Sequence, residues 1–182
     1  MIENLKIALA VSIFYLCITT LIFNFSDDFT FASSALDWCF RILIIVSVSA
    51  GIILLKKRNG GKILIGQGFK AGLSYSFFLS IFFALSMFIF SNYIKPDYTD
   101  NIQEHYRSMQ YQKMMSQYVY DTWNRDTITS GAIDTVNTSL DKYLDKTKFF
   151  FTNEGQIFIN YLYCLIYGLV TALTVSMLIR KE

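Results

Sequence analysis

Acid–base or metal chemistry would have to start from His105, the single histidine, and from Asp97, Asp100 and Glu104 just before it. Carboxylates and an imidazole close to a membrane surface are what a lipid-modifying enzyme would need. A lone histidine holds no zinc without further strong ligands, and no cysteine or His-x-x-His accompanies it. Neither GxSxG nor HExxH occurs. Gly60-Gly61 and Gly66-x-Gly68 suggest a phosphate loop, yet there is no GxxxxGK[ST] and no strand leading into a GxGxxG. These glycines are expected to make a tight turn. Cys17, Cys39 and Cys164 form no CxxC pair and sit in or beside apolar runs, so they are expected to act as small packing residues. No catalytic residue, cofactor or metal is therefore expected, and the chain is read as a non-enzyme.

The elements around these residues are of an unusual solvent class. Hydrophobic residues make up 53% of the 182 and charged residues only 16%, against about a quarter charged in a soluble domain. Four apolar runs stand out, at residues 7–25, 36–55, 71–93 and 157–179. Each approaches the roughly 20 residues that a bilayer crossing takes. The first ends in Asn24-Phe25-Ser26-Asp27-Asp28 without an Ala-x-Ala cleavage site, so a retained helix is expected rather than a signal peptide. The second contains Asp37 and Arg41, four apart on one helical face near its end. There they can pair while the arginine snorkels to the headgroups, with Trp38 in the aromatic belt. The third and fourth runs carry no charge, and Pro96 marks the end of the third.

Orientation follows from the basic residues. Lys56, Lys57, Arg58, Lys62 and Lys70 lie between runs two and three with no acid among them, and Arg180 and Lys181 follow run four. By the positive-inside bias these residues determine the topology, with both termini cytoplasmic. Residues 95–156 then form an extracytoplasmic loop. Tyr98, Ile102, Tyr106 and Met109 recur as one helical face, and the stretch continues through Met115, Tyr118 and Trp123. A second helix is expected at 129–146, with Ile133, Val136, Leu140 and Tyr143 on one side and the break near residues 124–127. The aromatic and methionine residues either pack the two loop helices together or offer a face to a partner.

Polar residues inside the runs include Asn160 in the fourth, and Ser74, Ser76, Ser80 and Ser86 in the third. Ion-coupled transport usually needs ionisable groups at depth, and none lies near the middle of a run. The serines, with Gly72, Gly168 and Ala172, suit close approach of helices.

The stretch Gly61-Lys62-Ile63-Leu64-Ile65-Gly66-Gln67-Gly68-Phe69-Lys70-Ala71-Gly72 resembles the entry to the third span, G-x-I-x-F-x-x-x-F-K-x-G, of the DUF4199 family of small four-span proteins of unknown function. Tyr93-Ile94-Lys95-Pro96-Asp97-Tyr98 and Leu178-Ile179-Arg180-Lys181 extend the likeness; Ile65 departs from it, standing where phenylalanine is usual. The resemblance covers the whole architecture. It implies a bacterial inner membrane, in Bacteroidota, and brings no catalytic residues.

The expected fold is thus all-α: one integral membrane domain of four transmembrane helices, with a helical-hairpin extracytoplasmic loop between spans three and four. The expected partners are the lipid bilayer and a membrane protein or a second copy of the chain, not nucleic acid. The function expected first is association, as a subunit or scaffold of a membrane complex. The alternative is a small oligomeric carrier or pore for an apolar or lipid-linked substrate.

Overall fold

The computed structural model describes residues 2–26, 28–121 and 130–179. They form six α-helices: α1 (Ile2–Phe25), α2 (Phe29–Arg58), α3 (Ile65–Ile89), α4 (Tyr98–Asp121), α5 (Ser130–Thr147) and α6 (Asn153–Leu178). A π-helical turn, Phe90–Ile94, extends α3, and a 3-10 turn, Lys148–Phe151, precedes α6. Four of these helices are long and apolar enough to cross a membrane: α1, α2, α3 with its π-turn, and α6.

Local chemistry sets the helix ends. The Asp28 carboxylate accepts hydrogen bonds from the Thr30 and Phe31 N–H groups (2.8 and 3.3 Å) and so caps α2. The cap starts the helix seven residues before the apolar run at 36–55, and its 30 residues span about 45 Å. Between α2 and α3 the chain turns through Gly60 and Gly61, at φ 68° and 85°, a left-handed conformation that costs glycine little. Gly66 and Gly68, expected in the same turn, belong to α3 instead. Thr152 caps α6 by accepting from the Gly155 N–H at 3.1 Å.

Within the apolar bundle α3 is the hub, packed against α1, α2 and α6. Its contact with α6 is an antiparallel seam of small residues. A methyl group added to Gly72 would stand 2.5 Å from the Ala172 methyl, and one added to Gly168 would stand 2.5 Å from the Ser76 Cβ. At Gly68 it would meet the Ser176 hydroxyl at 2.7 Å. The four-residue spacing on both helices brings Gly68, Gly72 and Ser76 opposite Ser176, Ala172 and Gly168 in one register. Such seams let backbones approach where lipid offers no hydrophobic drive between helices. The same register continues to Ser80 and Cys164, both fully buried.

On the other flank, rings fill the space between α1, α2 and α3. Tyr15 lies 4.8 Å from Phe83 and 5.5 Å from Phe40, and Phe40 lies 5.1 Å from Phe83. Ser86 reaches from α3 to the Ser12 carbonyl at 3.2 Å. The outer surface remains apolar: Phe14, Val46 and Ile166 are 56%, 59% and 57% exposed, as expected of side chains that meet lipid. Cys17 is exposed on this surface, whereas Cys164 is buried. The packing role expected for all three cysteines thus fails at Cys17, which points away from the core.

Helices α4 and α5 lie beyond one end of the bundle and pack on each other. The break expected between them at residues 124–127 lies outside the described residues. Val136, Leu140 and Leu144 are the buried stripe of α5. Ile133 and Tyr143, expected on that stripe, are exposed instead. Burial follows a strict four-residue step along α5, which selects Leu144 over its neighbour.

Candidate functional site

The loop residues singled out in the sequence occupy distinct environments. Tyr98 opens α4 and meets three rings of the bundle end: Phe23 and Phe90 edge-on at 5.3 and 5.2 Å, and Phe29 at 6.1 Å. Burial there pushes the Tyr98 phenol up to about 12. Lys95 tightens the joint by donating to the Phe23 carbonyl (3.3 Å) and lying over its ring. Tyr106 stacks beside Tyr143 with their hydroxyls hydrogen-bonded at 3.0 Å, and its ring also meets Phe151 at 5.1 Å. The bond to Tyr143 raises the Tyr106 pKa, and partial burial adds to it. Arg107 and Asp141 pair at 3.1 Å. Ile102 is half-buried, Met109 is exposed, and Met115 and Tyr118 are half-buried. Tyr118 borders a shallow groove with Met114 and Val136 between α4 and α5. Trp123 lies outside the described residues. So Tyr98 and Tyr106 serve internal joints, and Met109 is left outward.

The acid and histidine residues do not converge. Asp97, Asp100 and Glu104 are exposed, and the His105 ring lies against Phe29 at 5.7 Å. Among the described residues no group of three metal-ligating side chains forms.

At the opposite end of the bundle are the basic residues. Lys56 donates to the Ile179 carbonyl at 2.7 Å, satisfying one of the orphan acceptors at the end of α6. Lys57, Arg58, Lys62 and Lys70 are exposed. Arg180 and Lys181 lie outside the described residues.

Between these ends the bundle is not fully closed. A hollow of about 160 Å³ opens between α1, α2 and α6. Tyr15 and Thr19 come from α1, Ser33, Asp37 and Phe40 from α2, and Gln156, Asn160, Tyr163 and Tyr167 from α6; Met87 and Tyr98 close it. Its floor of Tyr15, Phe40 and Met87 is buried, while Asp37 and Tyr163 at the rim are exposed. Asp37 is gripped by Arg41 in a two-pronged ion pair, with Arg41 Nε donating at 3.2 Å and a terminal nitrogen donating to the second oxygen. The guanidinium lies over the rings of Trp38 (5.5 Å) and Tyr167 (5.6 Å), which ties α2 to α6. Asp37 and Asn160 are each visible in the sequence as polar residues in apolar runs. Their meeting is not, because no linear spacing relates residue 37 to residue 160.

Four apolar helices with an apolar outer surface define a multi-pass helical membrane protein. Residues 6–181 match the family described as protein of unknown function, DUF4199, and the chain belongs to that family. No curated protein and no solved structure matches it.

Proposed function

We propose that this chain is a non-enzymatic protein of a bacterial inner membrane that works by association, as a subunit or scaffold of a larger membrane complex. In this reading the basic end, with Lys56, Lys57, Arg58, Lys62 and Lys70, faces the cytoplasm. The α4–α5 pair then forms a helical hairpin outside it. The observation that carries the reading is that pair, an element with its own buried stripe, held to the bundle end by Tyr98, that leaves Met109 exposed beside Phe149 and Phe150 of the 3-10 turn that follows it. Exposed aromatic and methionine side chains favour contact with a partner. Purification of a C-terminally tagged chain from native membranes in mild detergent tests it. A stoichiometric protein partner, lost when Met109 and Phe149 become serine, is expected. A lone chain at every expression level sinks the reading.

The hollow favours a second reading, a small oligomeric carrier or pore for an apolar or lipid-linked substrate. It gives such a substrate an opening between the helices, which a closed bundle would lack. A lipid or small molecule copurifying in place of a protein would move this reading to the front.

A further inference from the structure

The polar walls of the hollow have already engaged hydrogen-bond donors. Ser33 Oγ donates to the Thr30 carbonyl (3.0 Å), and Thr19 Oγ1 donates to that of Tyr15 (2.8 Å). Asn160 Nδ2 donates to the Gln156 carbonyl (2.9 Å), and Gln156 Nε2 donates to that of Phe150 (2.6 Å). Their oxygens retain acceptor capacity, that of Thr19 shared with the Tyr15 phenol. Asp37 adds a carboxylate with about four lone-pair positions, of which Arg41 occupies two. A wall rich in acceptors, with a carboxylate whose charge Arg41 already balances, selects a ligand that brings hydrogen-bond donors; the preference for a cation comes from the rings.

Shape narrows the class further. The hollow measures about 160 Å³, room for about five waters at 30 Å³ each, or for one small polyatomic group. Tyrosines 15, 98, 163 and 167 line it, and aromatic faces attract ammonium groups. Arg41 is not a lining residue; it is held over Trp38 and Tyr167. Position agrees as well. Asp37 stands nineteen residues from Lys56 along α2, about 29 Å, which is close to the thickness of a hydrocarbon core. The rim therefore lies at headgroup level.

We propose that this hollow binds a small organic ammonium group, carried by the ethanolamine headgroup of a phospholipid or by a free amine. Asp37 and the acceptor oxygens of Thr19 and Asn160 receive its N–H donors, and Tyr163 covers it from the rim. The site concerns the single chain and stands whether or not a protein partner exists.

The test uses the full chain purified in detergent. One arm measures retention of phosphatidylethanolamine against phosphatidylglycerol by native mass spectrometry. The other titrates free ethanolamine and follows the fluorescence of Trp38, which neighbours the site, in a Trp123→Phe background. Preferential retention of phosphatidylethanolamine is expected, weakened about tenfold in Asp37→Asn through loss of a charged hydrogen-bond partner. Because Asp37→Asn also breaks the Arg41 pair, Tyr163→Leu at the exposed rim is the second variant, expected to weaken binding severalfold while leaving thermal stability unchanged. A response to the lipid alone assigns the headgroup; a response to ethanolamine assigns the free amine as well. Equal retention of both lipids with no ethanolamine response, or binding unchanged in both variants, overturns the proposal and leaves a hollow filled by water.

Discussion

The seam between α3 and α6 is decided atom by atom. At Gly168 an added methyl group collides with Ser76 Cβ at 2.5 Å, and at Gly72 it collides with Ala172. Overpacking of this kind costs about 1–3 kcal/mol. Gly168→Ala is therefore expected to destabilise the bundle by that amount in reversible unfolding in mixed micelles. Adding Ser76→Gly should restore it, because the next contact, the Ser76 Cα, then lies at an ordinary 3.5 Å. Gly66→Ala, with nothing within 4 Å, and Gly51→Ala, with the Tyr75 ring at 3.5 Å, should be neutral. A loss at Gly66 or Gly51 as large as that at Gly168 would show that the seam does not set Gly168 apart, since helix propensity alone makes Gly→Ala favourable. The sequence displays Gly72, Ser76, Gly168 and Ala172 as small residues four apart. It does not display their pairing, since that depends on which of several helices α6 lies against.

At the level of the elements, α4 is attached to the bundle through Tyr98, and that attachment titrates. The phenol is ordinarily at 10.0 and is held up at about 12 by burial. The folded state thus binds its proton more tightly than the unfolded state. The stabilisation is complete below pH 10 and is lost as pH rises from 10.0 to about 12. Protection of the α4 amides relative to base-catalysed intrinsic exchange should fall across that window, and Tyr98→Phe should flatten the fall. The Tyr106 hydroxyl, raised by its bond to Tyr143, acts in the same direction. Charge-free runs made α1, α3 and α6 legible in the sequence, because length and apolarity alone identify a span; α2 was legible because Asp37 and Arg41 lie near the end of its run, where they can pair. The start of α2 was less so: residues 29–35 mix apolar and small polar side chains, and the Asp28 cap, with Ala32 buried and Phe29 packed on the bundle, sets them in the helix. The hollow was illegible, since its walls come from five helices and no linear spacing brings even the conspicuous Asp37 and Asn160 together.

For the molecule as a whole, the α4–α5 pair is expected to be separable from the bundle. Asn92 at the end of α3 accepts a hydrogen bond from Asn153 at the start of α6 (3.2 Å), so the chain leaves and re-enters the bundle at neighbouring points. Replacing residues 102–147 by a short Gly/Ser linker, with Tyr98 kept in place, is expected to leave a monodisperse helical bundle whose melting temperature falls by only a few degrees. Aggregation of that variant would mean that α4 and α5 are part of the folding unit. The seam also has a consequence in time. Gly72 and Ala172 are a hundred residues apart in the chain, and ribosomes add about 5–20 residues each second. For about 5–20 s of every synthesis, then, the α3 half of the seam exists without its other half. During that interval the small-residue groove of α3 lies open to lipid, or to whatever assists insertion, until α6 arrives and closes it.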